Sequence, residues 1–303
     1  MSGSTNRRGF IASCVTAGAL SVTANMRSVA AIEPIKRTGH SKIKLSLAAY
    51  SYRDLLTGKN PKLTLADFID DCAAMELEGT ELTSYYFPPD ASPEFLRQLK
   101  AQAFRLGLDV SGTAVGNNFC YPPGEKRDQE MQLVKRWIDN AEILSAPVIR
   151  IFSGQQQSGQ SAAEAHRLAV EAMEQACEYA VEHGVFLALE NHGGLTADAE
   201  GLLSLVRDVK SPWFGVNLDT GNFHSDDVYG DLAKLAPYAV NVQVKVVVSG
   251  PDGKKRPSDF QRLAKILNDA GYRGYVALEF EEKGDPREEC PKYIKQLREA
   301  FAV

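Results

Sequence analysis

Residues 161–190 read SAAEAHRLAVEAMEQACEYAVEHGVFLALE, and this stretch decides the fold. From Ser161 to His183 apolar residues recur at helical spacing: Ala165, Leu168, Ala169, Ala172, Met173, Ala176, Tyr179 and Ala180. Ser161 can cap the start of that helix, and Gly184 can end it. The period then changes at once. Val185-Phe-Leu-Ala-Leu-Glu190 is a short apolar strand that finishes on an acid. A helix handing over to a buried strand across one glycine is the working unit of an α/β protein.

The same alternation extends in both directions. Strands are expected over Lys44–Ser51, Gly79–Thr83, Leu108–Val115, Pro147–Phe152, Val185–Glu190, Phe214–Asp219, Ala239–Val248 and Gly274–Phe280. Met131, Val134, Ile138 and Ala141 mark one intervening helix, Phe260, Leu263, Ile266 and Leu267 another, and Pro286 to Phe301 the last. Eight such units predict a single-domain α/β protein, a (β/α)8 TIM barrel, over 43–303. A doubly wound sheet has less support, because no GxGxxG follows the first strand.

The N-terminus reads differently. Arg7-Arg8-Gly9-Phe10 is a twin-arginine pair, an uncharged stretch runs from Phe10 to Ala24, and Ser28-Val29-Ala30 offers small residues for a peptidase. Residues 1–30 are therefore expected to be an export signal, leaving a linker at 31–42 and a periplasmic or secreted enzyme with no membrane anchor after cleavage. Cys72, Cys120, Cys177 and Cys290 are scattered, without a CxxC pair, and are expected to be buried thiols.

Of 303 residues 44% are hydrophobic and 24% charged, a globular balance that excludes a wholly disordered chain. Without the first 30 residues there are 31 bases against 39 acids, a net charge of −8. A body that acidic is a poor polyanion binder, so nucleic acid is excluded as a partner. A small-molecule sugar is the expected partner, and self-association into a homo-oligomer is left open.

Barrels place their chemistry at the carboxyl ends of the strands. Strands five, six and eight end on Glu190, Asp219 and Glu279, and strand seven carries Gln243 and Lys245. Period-two alternation turns Ala188 with Glu190, Asn217 with Asp219, and Ala277 with Glu279 toward the barrel axis. Three converging acids repel one another, and a cation relieves that. Glu190, Asp219, Gln243 and Glu279 make an all-oxygen set, which suits one Mn²⁺ or Mg²⁺ per chain.

Leu189-Glu190-Asn191-His192-Gly193-Gly194, Asn217-Leu218-Asp219-Thr220-Gly221-Asn222, Gln243-Val244-Lys245 and Tyr272-Arg273-Gly274-Tyr275-Val276-Ala277-Leu278-Glu279 resemble the motifs of the xylose-isomerase-like barrel superfamily. The resemblance implies a divalent-metal sugar isomerase or epimerase. It implies that Glu190, Asp219, Gln243 and Glu279 are metal ligands, with Glu190 and Glu279 also exchanging protons with substrate. The usual third ligand is His in His-x-Lys-Asp; here it is Gln243, as in the hydroxypyruvate-isomerase-like branch, and Val246 replaces the Asp.

His192, His224, Lys245, Tyr50 and Arg150 are the expected substrate-side residues. Each has a structural alternative: a backbone-bonded loop for the histidines, an ion pair with the ligating acids for Lys245, core packing for Tyr50 and Tyr52. Arg150, inside an apolar strand, needs a buried acid, either Glu81 or Glu190. A metal-dependent lyase of keto-glycosides would use the same first proton abstraction. A non-catalytic sugar-binding barrel is the alternative outside enzymology. An endonuclease is disfavoured, since only five histidines are present and none cluster.

Overall fold

The computed structural model describes residues 33–302; the twin-arginine segment lies outside the described residues. Eight parallel strands close into a barrel: Lys42–Ala48, Gly79–Thr83, Asp109–Ala114, Val148–Ile151, Phe186–Glu190, Phe214–Asp219, Ala239–Lys245 and Arg273–Glu279. The first strand registers with the last, Lys42 beside Arg273 and Leu47 beside Leu278. Closure leaves no sheet edge unpaired. Helices Leu65–Ala74, Pro93–Arg105, Glu125–Leu144, Ala162–His183, Ala199–Asp208, Val228–Leu235, Phe260–Asp269 and Pro286–Phe301 alternate with the strands, as expected. Among the described residues no helix is long and apolar enough to cross a membrane.

Local chemistry sets the helix starts. Thr64 and Asp67 form a reciprocal capping box, Ser92 caps the helix that begins at Pro93, and Ser161 accepts from the Glu164 amide. Asp198, Asp227, Asp259 and Asp285 cap four more helices. Gly184, left-handed, ends the longest helix and turns the chain into the fifth strand.

Alternation along each strand builds two different interiors. Leu187, Leu189, Val216, Leu218, Val242, Val244, Val276 and Leu278 are fully buried and belong to the apolar core. Each such leucine contributes about 1.5–3 kcal/mol. The intervening residues include Asn217, Asn241, Gln243 and, on strand two, Glu81, all buried and polar. They hydrogen-bond across the axis, from strand seven to strand two. The barrel is thus apolar outside and polar within.

Two expected strand ends are corrected. The first strand stops at Ala48, and Ala49–Tyr52 is a 3-10 turn. The Ser51 hydroxyl ties that turn to the eighth strand, accepting from the Phe280 amide at 2.9 Å. Tyr52 consequently packs in the core against Phe68, ring centroids 5.1 Å apart, rather than ending a strand. The seventh strand stops at Lys245, and Val247–Ser249 leaves the barrel to form a hairpin with Lys255–Pro257. The Ser258 amide bonds the Val246 carbonyl at 3.0 Å and fixes that departure. The basic run Lys254-Lys255-Arg256 lies on this hairpin, exposed, with Lys255 paired to Glu282 and Arg256 to Asp252.

Residues 33–41 do not dangle. The Ile35 amide bonds the Pro237 carbonyl at 3.0 Å, and the Ser41 hydroxyl bonds the Tyr272 carbonyl at 2.5 Å. The link straps the end of the barrel away from the acids. Cys72, Cys120, Cys177 and Cys290 are free and buried, as expected.

Candidate active site

The polar lattice inside the barrel forms a floor. Glu81 accepts from Asn241 Nδ2 at 2.9 Å and from Gln243 Nε2 at 2.5 Å. Asn217 Nδ2 donates to Gln243 Oε1 at 2.7 Å, and Asn241 Nδ2 to Asn217 Oδ1 at 2.8 Å. Burial pushes the Glu81 carboxyl up to about 7, against the two amide donors that favour its charge.

At the carboxyl ends of the strands lies a cavity of about 240 Å³, lined by Tyr50, Tyr85, Arg150, Phe152, Glu190, His192, Lys245, Glu279 and Glu281. A larger hollow of about 770 Å³ lies beside Trp137, but the strand-end acids do not reach it. The smaller cavity is where charge converges. That makes it the candidate site.

Two cations organise its acids. Arg150 Nε stands 2.8 Å from Glu190 Oε2, with the N–H off the line between them, so the contact is an ion pair rather than a straight hydrogen bond. The same guanidinium donates to the Val115 carbonyl at 3.0 Å and lies 4.1 Å from the Phe152 ring centre. Of the two acids expected to hold Arg150, Glu190 is the one that pairs with it. Asn222 Nδ2 binds the other Glu190 oxygen at 2.8 Å. Burial raises the Glu190 carboxyl above the ordinary carboxylate range; Arg150 opposes the rise, and Asp219 and Glu279 add to it.

Lys245 is the second cation. Its Nζ lies 2.7 Å from Glu279 Oε2, 2.9 Å from Glu281 Oε2 and 3.4 Å from Asp219 Oδ2. Burial opposes its charge, but Asp219, Glu279 and Glu281 outweigh burial and hold the ammonium above its usual range. Asp219 Oδ1 accepts from the Gly221 amide at 2.8 Å, while its Oδ2 is buried with no hydrogen bond. Burial raises the Asp219 carboxyl too, against Lys245. Asn191 locks the two strand ends together, exchanging hydrogen bonds of 2.9 Å with the Asp219 backbone.

The expected ligand set does not close around a common point. Gln243 has its amide oxygen turned to Asn217 and its nitrogen to Glu81. Glu190 is taken by Arg150 and Asn222, and Glu279 by Lys245. Among the described residues no three His, Cys, Asp or Glu side chains are grouped so as to hold a metal ion. As arranged, these residues do not fit Mn²⁺ or Mg²⁺. The physical reason is the ammonium of Lys245, which stands among the same carboxylates.

The remaining expected residues divide. Tyr50 lines the cavity from the 3-10 turn, and His192 lines it with its ring tilted 41° against that of Phe152, centroids 4.5 Å apart. Burial lowers the His192 imidazole below its ordinary value, and Arg150 and Lys245 add to the fall. His224 is exposed on its loop and does not line the cavity. His166 and His183 pair on the surface with Asp208 and Glu142, each at 2.7 Å. Glu81, Glu281, Tyr85 and Phe152 were not foreseen as site residues. Period-two spacing from Gly79 would have flagged Glu81, and the two-residue step from Glu279 would have flagged Glu281.

A family model described as xylose isomerase-like TIM barrel matches residues 69–300. No curated protein matches. Among solved structures, D-psicose 3-epimerase from Clostridium cellulolyticum H10, with D-tagatose, superposes with a TM-score of 0.71 at 17% identity, covering 85% of this chain and 99% of that one. A 3-keto-D-glucoside 4-epimerase from E. coli gives 0.66 at 14% identity, over 85% of this chain and 100% of that one. A xylose isomerase domain protein from Alicyclobacillus acidocaldarius gives 0.66 at 17%, over 86% and 98%. At such identities the likeness is one of fold.

Proposed function

Because the chain belongs to the xylose isomerase-like TIM-barrel family, we propose that its cavity is the active site of a sugar isomerase or epimerase that moves a proton next to a carbonyl. One observation carries this reading. Two buried carboxylates from different strands, Glu190 and Glu279, face one cavity that also holds two cations and the rings of Tyr50, Tyr85 and Phe152. Rings of that kind suit the apolar face of a sugar, and the charges suit its oxygens.

Abstraction of a carbon-bound proton leaves negative charge on the neighbouring carbonyl oxygen. A positioned base takes the proton, and a fixed cation stabilises the oxygen. Glu190, raised toward neutrality by burial, is matched to taking a proton and returning it. Glu279, on the eighth strand, can return a proton from another direction, which inverts the carbon. Return to the neighbouring carbon instead gives the isomer. Arg150 holds the Glu190 carboxylate in place, since its Nε sits 2.8 Å away and Phe152 covers its face. Export of the enzyme through the twin-arginine route, suggested by residues 1–30, belongs to the same proposal and favours unphosphorylated sugars.

The test is a panel of free ketohexoses and 3-keto-glycosides incubated with purified protein, the products separated by chromatography. A new stereoisomer or a ketose–aldose pair is expected from at least one of them. Release of the aglycone from a keto-glycoside would replace this reading with a lyase. Binding without conversion of any sugar would replace it with a sugar-binding barrel.

A further inference from the structure

We propose that the ammonium of Lys245, rather than a divalent cation, is the resident positive charge of this site and hydrogen-bonds the substrate's carbonyl oxygen as charge develops there. The proposal rests on the sugar isomerase or epimerase reading for its catalytic half only. Its structural half rests on how Lys245 is seated.

That seat is built rather than incidental. Three carboxylates from three positions, Asp219, Glu279 and Glu281, surround one nitrogen at 3.4, 2.7 and 2.9 Å. The aliphatic stem is accommodated by a missing side chain: a Cβ on Gly221 would stand 2.8 Å from Lys245 Cδ and 2.9 Å from its Cβ. The Lys245 amide bonds Thr220 Oγ1 at 2.9 Å, which fixes the stem's starting point. Of the other two oxygen donors in the expected ligand set, Gln243 has its amide turned into the floor, between Asn217 and Glu81, and Glu190 is held by Arg150 and Asn222. An ammonium has three N–H donors. Glu279 and Glu281 take two at hydrogen-bonding distance. The third faces Asp219 across 3.4 Å, to an oxygen that holds no hydrogen bond. A substrate oxygen entering the cavity can accept that third donor. Nothing is oxidised or reduced: the carbon-bound proton passes to a carboxylate oxygen, the electron pair moves onto the carbonyl oxygen beside Lys245, and both return when the proton is given back.

The test has two independent arms on the full-length purified chain. In the first, native protein and Lys245→Met are stripped with EDTA and titrated with Mn²⁺, binding being read by electron paramagnetic resonance. Removing the ammonium leaves Asp219, Glu279 and Glu281 uncompensated, and their mutual repulsion then favours uptake of a hard cation. Lys245→Met should bind Mn²⁺ about tenfold or more tightly than the native chain. Tight stoichiometric binding to native protein, unimproved in Lys245→Met, would overturn the proposal. Lys245→Gln, of similar length, repeats the comparison should the Met variant fail to fold. In the second arm, turnover of whichever panel sugar is converted should survive EDTA and fall about 10²- to 10³-fold in Lys245→Gln. Loss of turnover in EDTA with recovery on adding Mn²⁺ would also overturn it. The titration needs no substrate, so it decides the structural claim even if every sugar in the panel is inert.

Discussion

Glu190→Gln and Glu279→Gln should each slow turnover by about 10²- to 10⁴-fold, the contribution of a positioned acid–base group. The amide keeps the shape of the side chain but cannot take a proton. The two variants should differ in how the loss is distributed. Glu190 is held by Arg150 and Asn222 within the wall of the cavity, so Glu190→Gln should lower kcat with little change in KM. Glu279 also neutralises Lys245 at 2.7 Å, so Glu279→Gln should disturb binding as well as rate. Steady-state kinetics on a converted sugar, with circular dichroism to check the fold, reads both. Full activity in both variants would remove this pair from the mechanism.

Arg150→Met should be the most destabilising single change in the barrel interior. The native pair is almost wholly inaccessible, with 6% and 4% of the two side chains exposed. Removing one member of a buried pair leaves the other charge uncompensated, at a cost of about 3–5 kcal/mol. The sign of the pH dependence follows from Glu190. Its folded carboxyl already lies above the ordinary 4.5 because of burial, with Arg150 opposing, and loss of the guanidinium raises it further. A carboxyl raised in the folded state binds a proton that the unfolded chain has released, so stability falls as pH climbs above the unfolded value. Native chain and variant take up that proton alike until the native Glu190 carboxyl titrates, at about 8, so urea unfolding should show a level deficit for Arg150→Met from about pH 5 to pH 7 that grows above about pH 8. A deficit independent of pH would mean that lost packing against Phe152, not the charge of Glu190, sets the cost.

The barrel was legible because its signals are local. The 161–190 helix–glycine–strand unit, the capping serines and aspartates, and the acids that end the fifth, sixth and eighth strands all act within a few residues. Glu190, Asp219 and Glu279 were placed correctly at strand ends by alternation alone, and Glu190 was one of two acids expected to meet Arg150. What failed depends on contacts between distant segments. Nothing near Tyr50 and Tyr52 announces that Ser51 will bond across to the eighth strand and end the first one early. Nothing near Gln243 shows that Glu81, 162 residues away, will claim its amide. The seat of Lys245 depends on Gly221 making room on the neighbouring strand end, which becomes visible only once the strands are in register. His224 shows the converse case: a short step from Asp219 along the chain, it lies exposed on the loop, because a loop past a strand end has no fixed period.

The most direct measurement of the central claim is solvent isotope incorporation during turnover. A sugar converted by the native chain in D₂O should gain deuterium at the carbon beside its carbonyl, read by proton and carbon NMR, because the proton rests on a carboxyl that exchanges with solvent over repeated turnovers. Glu190→Gln should lose that incorporation in step with its loss of conversion. Conversion carried to equilibrium with the carbon-bound hydrogen fully retained would contradict the account, since the hydrogen would then have moved directly between carbons without passing through Glu190 or Glu279.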